Sequence, residues 1–244
     1  MKKLLIALAL SASFGAAQAE VTGNLGLTSD YRYRGISQTQ NAPAVQGGVD
    51  YTHSSGFYIG NWNSSVSSQV YTNGAGVESD LYAGWKKDVY KGITVDVGSY
   101  NYFYPRSTTT AKTGSNFDTY EAYAAVGYKE LVTAKLSQTL GNGYFGTANA
   151  KKTKYYQADA KLPVPLVKNL SVVAHAGRTN VANSSAFDYT DYNAGFAYAL
   201  PQAWEGAVKY YTTTGLTNTA KAANTVSGQK LYSNAVVVSV TKTF

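Results

Sequence analysis

Residues 234–244 read NAVVVSVTKTF, and this stretch decides the fold. Asn234, Val236, Val238 and Val240 alternate with Ala235, Val237, Ser239 and Thr241, and an aromatic residue, Phe244, closes the run. Alternation of this kind describes a β-strand. A strand this apolar needs a backbone partner on each edge and a dry surface to lie against.

The same two-residue period recurs upstream. In VTGNLGLTSDYRYRG, Val21, Leu25, Leu27, Tyr31 and Tyr33 fall on one face, and Thr22, Asn24, Thr28, Asp30, Arg32 and Arg34 on the other. Comparable splits appear in AVQGGVDYTH, VESDLYAGWK, TYEAYAAVGY, YYQADAKL and DYNAGFAYAL. GFYIGNWNSSV and ITVDVGSYNYFYP mix apolar and polar residues on both faces, so the pattern does not orient them. Altogether the periodicity predicts strands over residues 21–34, 44–53, 57–66, 77–87, 93–104, 118–128, 131–140, 154–163, 169–178, 190–200, 203–213 and 231–244. Most of these are long enough for a tilted strand to cross a bilayer.

Short connections (HSSG, KDVYKG, YKEL, LPVPLVKN, LPQA) alternate with long polar ones such as PRSTTTAKTGSN and GNGYFGTANAKKT. Short turns at one end and long loops at the other predict a closed antiparallel transmembrane β-barrel of about twelve strands, with its turns in the periplasm. Such a barrel gathers its outward aromatics in two belts. The loop-side belt is expected at Tyr31, Tyr33, Tyr120, Tyr156, Tyr192, Tyr210 and Tyr232. The turn-side belt is expected at Tyr51, Trp85, Tyr128, Tyr198, Trp204 and Phe244. The terminal strand then faces lipid through its valines and pairs with strands eleven and one, which closes the cylinder.

Composition agrees. Only 14% of residues are charged, against about 25% in soluble domains, which suits a surface in contact with acyl chains. Lys2 and Lys3, an apolar run to Phe14 and Ala17-Gln18-Ala19 form the pattern of a cleaved secretory signal peptide, residues 1–19. Cleavage leaves residues 20–244 as the barrel and, by removing two lysines, lowers the formal charge from +7 to +5. With no cysteine in the chain, disulfide staples and thiolate metal sites are excluded. No stretch beyond the signal is apolar for long enough to cross as a helix.

The ending resembles the C-terminal signal that the barrel-assembly machinery reads, carried here by Val236, Val238, Val240 and Phe244, with Lys242 departing from it. TSDYRYRGISQTQNAPAVQGGVDYTHSSGFYIGNW (residues 28–62), DLYAGW (80–85) and YEAY (120–123) are similar to motifs of the TorF porin family of proteobacteria. The resemblance covers nearly the whole mature chain and implies a Gram-negative outer-membrane porin.

The polar faces assign Asp30, Arg32, Arg34, Asp50, Glu78, Asp80, Glu121, Lys135, Asp159, Lys161, His175, Asp191, Glu205 and Lys209 to the lumen. A charge facing lipid near the midplane costs about 2–4 kcal/mol, so this sorting supports the register. Either the charges line a water-filled pore for passive diffusion of small hydrophilic solutes, or they pair across a plugged, non-conducting structural or adhesin-type barrel. The pore is the favoured reading, with its constriction expected at Arg32, Glu78, Asp80, Glu121 and Lys209. Both signs occur, so no ion preference follows.

Arg106, Lys112, Lys151, Lys152, Lys154, Lys221 and Lys230 give the loops a basic rim suited to lipopolysaccharide phosphates, or to drawing in anionic solutes. Self-association is left open. Enzyme chemistry is not expected, because His53 falls at a turn and His175 in the barrel wall. GNGYFG, residues 141–146, matches a nucleotide-loop spacing only by letter and lacks the strand–helix setting. No cofactor, metal site or nucleic-acid surface is indicated.

Overall fold

The computed structural model describes residues 19–71, 74–107 and 117–244. The expected signal segment and Lys112 fall largely or wholly outside them. Twelve antiparallel strands close on themselves: β1 (Glu20–Thr28), β2 (Ala44–Thr52), β3 (Phe57–Ser65), β4 (Val77–Tyr90), β5 (Ile93–Phe103), β6 (Thr119–Tyr128), β7 (Val132–Thr139), β8 (Lys154–Pro163), β9 (Leu170–Asn180), β10 (Tyr189–Leu200), β11 (Trp204–Thr214) and β12 (Ala235–Thr243). Each strand pairs with its sequence neighbours, and β12 pairs with both β11 and β1. The seam is completed by Phe244, whose N–H donates to the Gly23 carbonyl at 2.9 Å. No backbone edge is left for hydrocarbon to desolvate.

Alternation sorts the side chains as expected. Val21, Leu25, Leu27, Val45, Val49, Leu81, Val126, Phe196, Val208, Val236 and Val238 are all exposed on the outer face. The turn-side aromatics Tyr51, Tyr128, Tyr198, Trp204 and Phe244 and the loop-side aromatics Tyr120, Tyr156, Tyr192 and Tyr210 are exposed too. The Lys242 ammonium lies 5.9 Å from the Trp204 ring and 5.8 Å from that of Phe244, a long stem folding its charge back to the interface.

Two ends differ most from the sequence reading. β1 stops at Thr28 rather than 34, and β12 starts at Ala235 rather than 231. Residues 29–43 leave the wall and fold into the lumen, so Tyr31 and Tyr33 are not belt residues. Tyr31 belongs to a buried cluster with Ala44, Val66, Tyr71, Ala75, Tyr102 and Tyr104, and Tyr33 packs against it. Tyr232 precedes β12 and lies in the last long loop. Alternation persisted past Thr28 because residues pointing inward from a wall and residues folded across a lumen face similar mixed surroundings. That loop also carries a short helix, α1 (Asn218–Ala223), capped by the Thr217 hydroxyl, which accepts from the Ala220 N–H.

The two segments that alternation could not orient are now placed. β3 sends Phe57 and Ile59 outward along with Asn61 and Asn63, and Tyr58, Gly60 and Trp62 inward. β5 sends Val97, Ser99 and Asn101 outward, and Asp96, Gly98, Tyr100 and Tyr102 inward. Outward amides and inward tyrosines blurred the contrast. The Asn101 amide donates to the Leu81 carbonyl and that of Asn61 to the Asp80 carbonyl, at 3.1 and 2.8 Å, which keeps their polar hydrogens bonded on the outer face.

Candidate functional site

The inward-folded segment spans the lumen near its loop end. The Tyr31 hydroxyl donates to Glu78 on β4 at 2.9 Å. Tyr33 donates to the Tyr102 hydroxyl just inside β5 at 2.8 Å. Arg34 reaches β6, where two guanidinium nitrogens meet the Glu121 carboxylate at 3.0 and 2.7 Å, and lies over the Tyr155 ring of β8 at 4.0 Å. Gly35 touches β10 and β11: a Cβ there would come within 2.8 Å of Asp191 Cβ and 2.6 Å of Thr213 Cγ2. With φ at +79°, only glycine fits both the backbone and the space. One segment thus contacts strands around the circumference, and the Arg34 carbonyl accepts from the Tyr189 hydroxyl at 2.9 Å.

Burial would lower the Arg34 pKa, but the Glu121 carboxylate together with the Tyr144, Tyr33 and Tyr102 hydroxyls outweighs it and holds the guanidinium above its usual value, fully charged. Arg32 bonds Asp30 at 2.6 Å and the Ser233 carbonyl at 2.6 Å, so the segment is also tied to the last loop. Asp30 in turn accepts from the Ser37 hydroxyl at 2.6 Å, which fixes the turn.

Of the residues expected at the constriction, Glu78, Asp80 and Glu121 are buried together at the loop end, and Arg32 is on the segment that crosses it. Lys209 is elsewhere: it lines a smaller cavity of about 250 Å³ with Asp159, Lys161 and His175. Opposed charges do not face one another across open water here. Arg34 and Glu121 touch. Glu78 Oε2 and Asp80 Oδ1 have no hydrogen-bond partner among the described residues.

His175 faces the lumen and is bonded at both ring nitrogens. Nδ1 lies 2.6 Å from Asp159, and Nε2 lies 3.0 Å from Asp191 and 2.9 Å from the Tyr155 hydroxyl. This chain of bonds braces β8, β9 and β10 from within. Lys161 pairs with Glu205 at 2.5 Å in a partly exposed position near the turn end. Lys135 stands over the Tyr123 ring at 4.4 Å.

Below the segment the lumen is hollow. A cavity of about 470 Å³ runs under Arg32 and Arg34 past Asp80, Gln157 and Asn193. It adjoins one of about 740 Å³ at the turn end, and the two share Tyr82, Tyr100 and Lys135. Alternation puts Tyr82 and Tyr123 on the polar faces of β4 and β6, but it did not orient Tyr58, Tyr100 and Tyr102 of β3 and β5. Their signal was the inward Tyr–Gly alternation inside the two segments left unoriented.

The family model described as a bacterial protein of unknown function (Gcw_chp) matches residues 12–244. The chain belongs to the Gcw_chp family. This family does not carry the TorF name that the motifs suggested. Among solved structures, the Gcw_chp chain is similar to a KdgM porin, with a TM-score of 0.55 at 9% identity over 93% of this chain and 99% of that one. A KdgM porin in complex with disordered oligogalacturonate gives 0.56 at 9% identity over the same shares. A NanC porin gives 0.52 at 9% identity over 91% and 98%. The barrel fold is shared with these porins. No curated protein sequence matches the chain.

Proposed function

We propose that this Gcw_chp protein is an outer-membrane porin passing small hydrophilic solutes by passive diffusion, with residues 29–43 as its internal constriction. The observation that carries the reading is the pair of adjoining cavities that hollow the barrel from the turn end up to Arg32 and Arg34. Asp30, Arg32, Arg34, Glu78, Asp80 and Glu121 form the narrow level; Lys135, Asp159, His175 and Lys209 line the lumen beneath it. The KdgM and NanC porins share the fold, which supports a channel role over an enzymatic one.

At the narrow level Arg32 meets Asp30 and Arg34 meets Glu121, while Glu78 and Asp80 have no basic partner among the described residues. In this reading residues 1–19 direct export, Val236, Val238, Val240 and Phe244 present the signal for barrel assembly, and exposed Lys151, Lys152 and Lys221 face lipopolysaccharide phosphates. The second reading, a non-conducting structural barrel, is favoured by one observation: the buried Arg34–Glu121 pair with its ring of wall contacts. Swelling of proteoliposomes in arabinose, glucose and sucrose separates the two. A porin gives swelling that slows with solute size, and rates equal to empty liposomes reject it.

A further inference from the structure

The inner wall of β3 to β6 is paved with tyrosine rings laid on glycine. Tyr82 lies over Gly60 of the neighbouring strand, where a Cβ would collide with the ring and come within 2.5 Å of Asp50 Oδ1. Gly84 and Gly98 face each other in register between β4 and β5. Tyr58 leans over the first and Tyr123 over the second, with a Cβ falling 2.5 Å and 2.9 Å from their hydroxyl oxygens. A side chain at Gly60 would push the Tyr82 ring away, and one at Gly84 or Gly98 would meet a tyrosine hydroxyl and a strand carbonyl oxygen together, Val97 O at 2.6 Å and Ala83 O at 2.5 Å. Glycine therefore lets the tyrosines pack close against the wall.

The paving continues towards the constriction. Tyr100 stacks on Tyr82 with centroids 4.8 Å apart and planes at 7°, and Tyr102 follows Tyr100 at 4.9 Å. Tyr33 on the inward-folded segment meets Tyr102 edge to face at 5.3 Å. The hydroxyls are tied down by carboxylates: Tyr82 donates to Asp50 at 2.6 Å, and Tyr58 and Tyr123 to Asp96 at 2.8 and 3.2 Å. All three bonds end on Oδ1, and Oδ2 of each carboxylate takes no part in them.

We propose that this wall is a stacking track for a neutral oligosaccharide. The proposal deepens the channel reading, because the track lies in the same lumen. A pyranose ring offers a face of slightly positive C–H groups, which the negative face of an aromatic ring attracts while burying apolar area. Its hydroxyls need acceptors and donors at the rim of that face, and Asp50, Asp96 and Lys135 stand there. The larger cavity is lined by four carboxylates and four lysines, so it offers a net-charged solute no advantage. An organic cation would also favour tyrosine faces, but the Lys135 ammonium, 4.4 Å from the Tyr123 ring centroid, would repel it and not a neutral sugar. The volume of about 740 Å³ falls within the range of small-molecule sites, about 300–1,000 Å³.

The test is calorimetric titration of the refolded full-length barrel in detergent with maltotriose, cellotriose and spermidine. At least one trisaccharide is expected to bind saturably with a Kd on the order of 1 mM, and spermidine to bind more weakly. Tyr100→Ala should weaken the trisaccharide about tenfold, which corresponds to about 1.4 kcal/mol, while Tyr100→Phe should retain it. Gly60→Ala, which displaces Tyr82, should weaken it too. Heat-modifiable gel migration reports whether each variant is folded; if Tyr100→Ala is not, Tyr100→Leu removes the π face with its bulk kept and carries the same expectation. Absence of trisaccharide binding, tighter binding of spermidine, or an affinity indifferent to the loss of the Tyr100 ring overturns the proposal. Binding in detergent does not require conduction. A barrel that binds and does not swell liposomes refutes the channel alone, and one that swells them without binding refutes the track alone.

Discussion

The guanidinium of Arg34 grips both carboxylate oxygens of Glu121, Nη1 to Oε1 at 3.0 Å and Nη2 to Oε2 at 2.7 Å, with both side chains almost wholly buried. Arg34 has left the wall and Glu121 is part of it, so the pair pins the inward-folded segment to β6. Removing one partner strands a buried charge, at a cost of about 3–5 kcal/mol. Arg34→Ala and Glu121→Ala should each lower the unfolding midpoint of the refolded barrel, and the double variant should recover part of the loss. Strictly additive losses in that cycle would contradict a direct pair.

The tight approach of strands at Gly195 gives a second expectation. A Cβ there would collide with the Val208 carbonyl oxygen and reach within 2.7 Å of Lys209 Cα, both backbone atoms that cannot swing aside. At Gly206 the nearest atom is Leu200 Cδ1 at 4.0 Å. Gly195→Ala should cost about 1–3 kcal/mol through overpacking, and Gly206→Ala should be close to neutral. Urea unfolding of the two variants side by side checks the ranking.

Register can be tested on the last strand. Val238 is 54% exposed on the outer face, and its neighbour Ser239 points into the lumen. Val238→Arg should cost about 2–4 kcal/mol in lipid and reduce the yield of folded barrel in vesicles. Ser239→Arg should fold at wild-type yield. Equal yields would mean that the two faces are not sorted between lipid and water.

Alkaline pH should loosen the loop-side cluster. Burial pushes the phenols of Tyr31, Tyr71, Tyr104 and Tyr144 above their usual value of 10.0, since a phenolate there would be desolvated. A pKa raised in the folded state means stability that is fully present below about pH 10 and lost as pH climbs towards the folded values. Tyrosinate absorbance should therefore titrate late and cooperatively with loss of the folded gel form. Early, independent titration of all the tyrosines would contradict their burial.

How much of this was legible in the sequence follows from what period-two alternation can encode. It located the twelve strands and the lipid-facing valines because a wall between lipid and water imposes opposite chemistry on adjacent residues. It ran past Thr28 because a segment folded across the lumen keeps polar residues among tyrosines just as a wall strand does. It stalled on β3 and β5 where Asn61, Asn63 and Asn101 point outward while Tyr58, Tyr100 and Tyr102 point inward. Inward charges were identified one by one, but the pairing of Arg34 with Glu121, 87 positions away, and the bracing of His175 by Asp159 and Asp191 depend on the diameter and stagger of the closed barrel. No local pattern records those.

Single-channel recording in planar bilayers, comparing wild type with Arg34→Ala, tests the constricted-channel account most directly. Wild type should give small, steady, ohmic steps, and Arg34→Ala larger or noisier ones as the segment is released from Glu121. Silent membranes for both proteins, or steps indistinguishable between them, would contradict a lumen that conducts and is narrowed by residues 29–43.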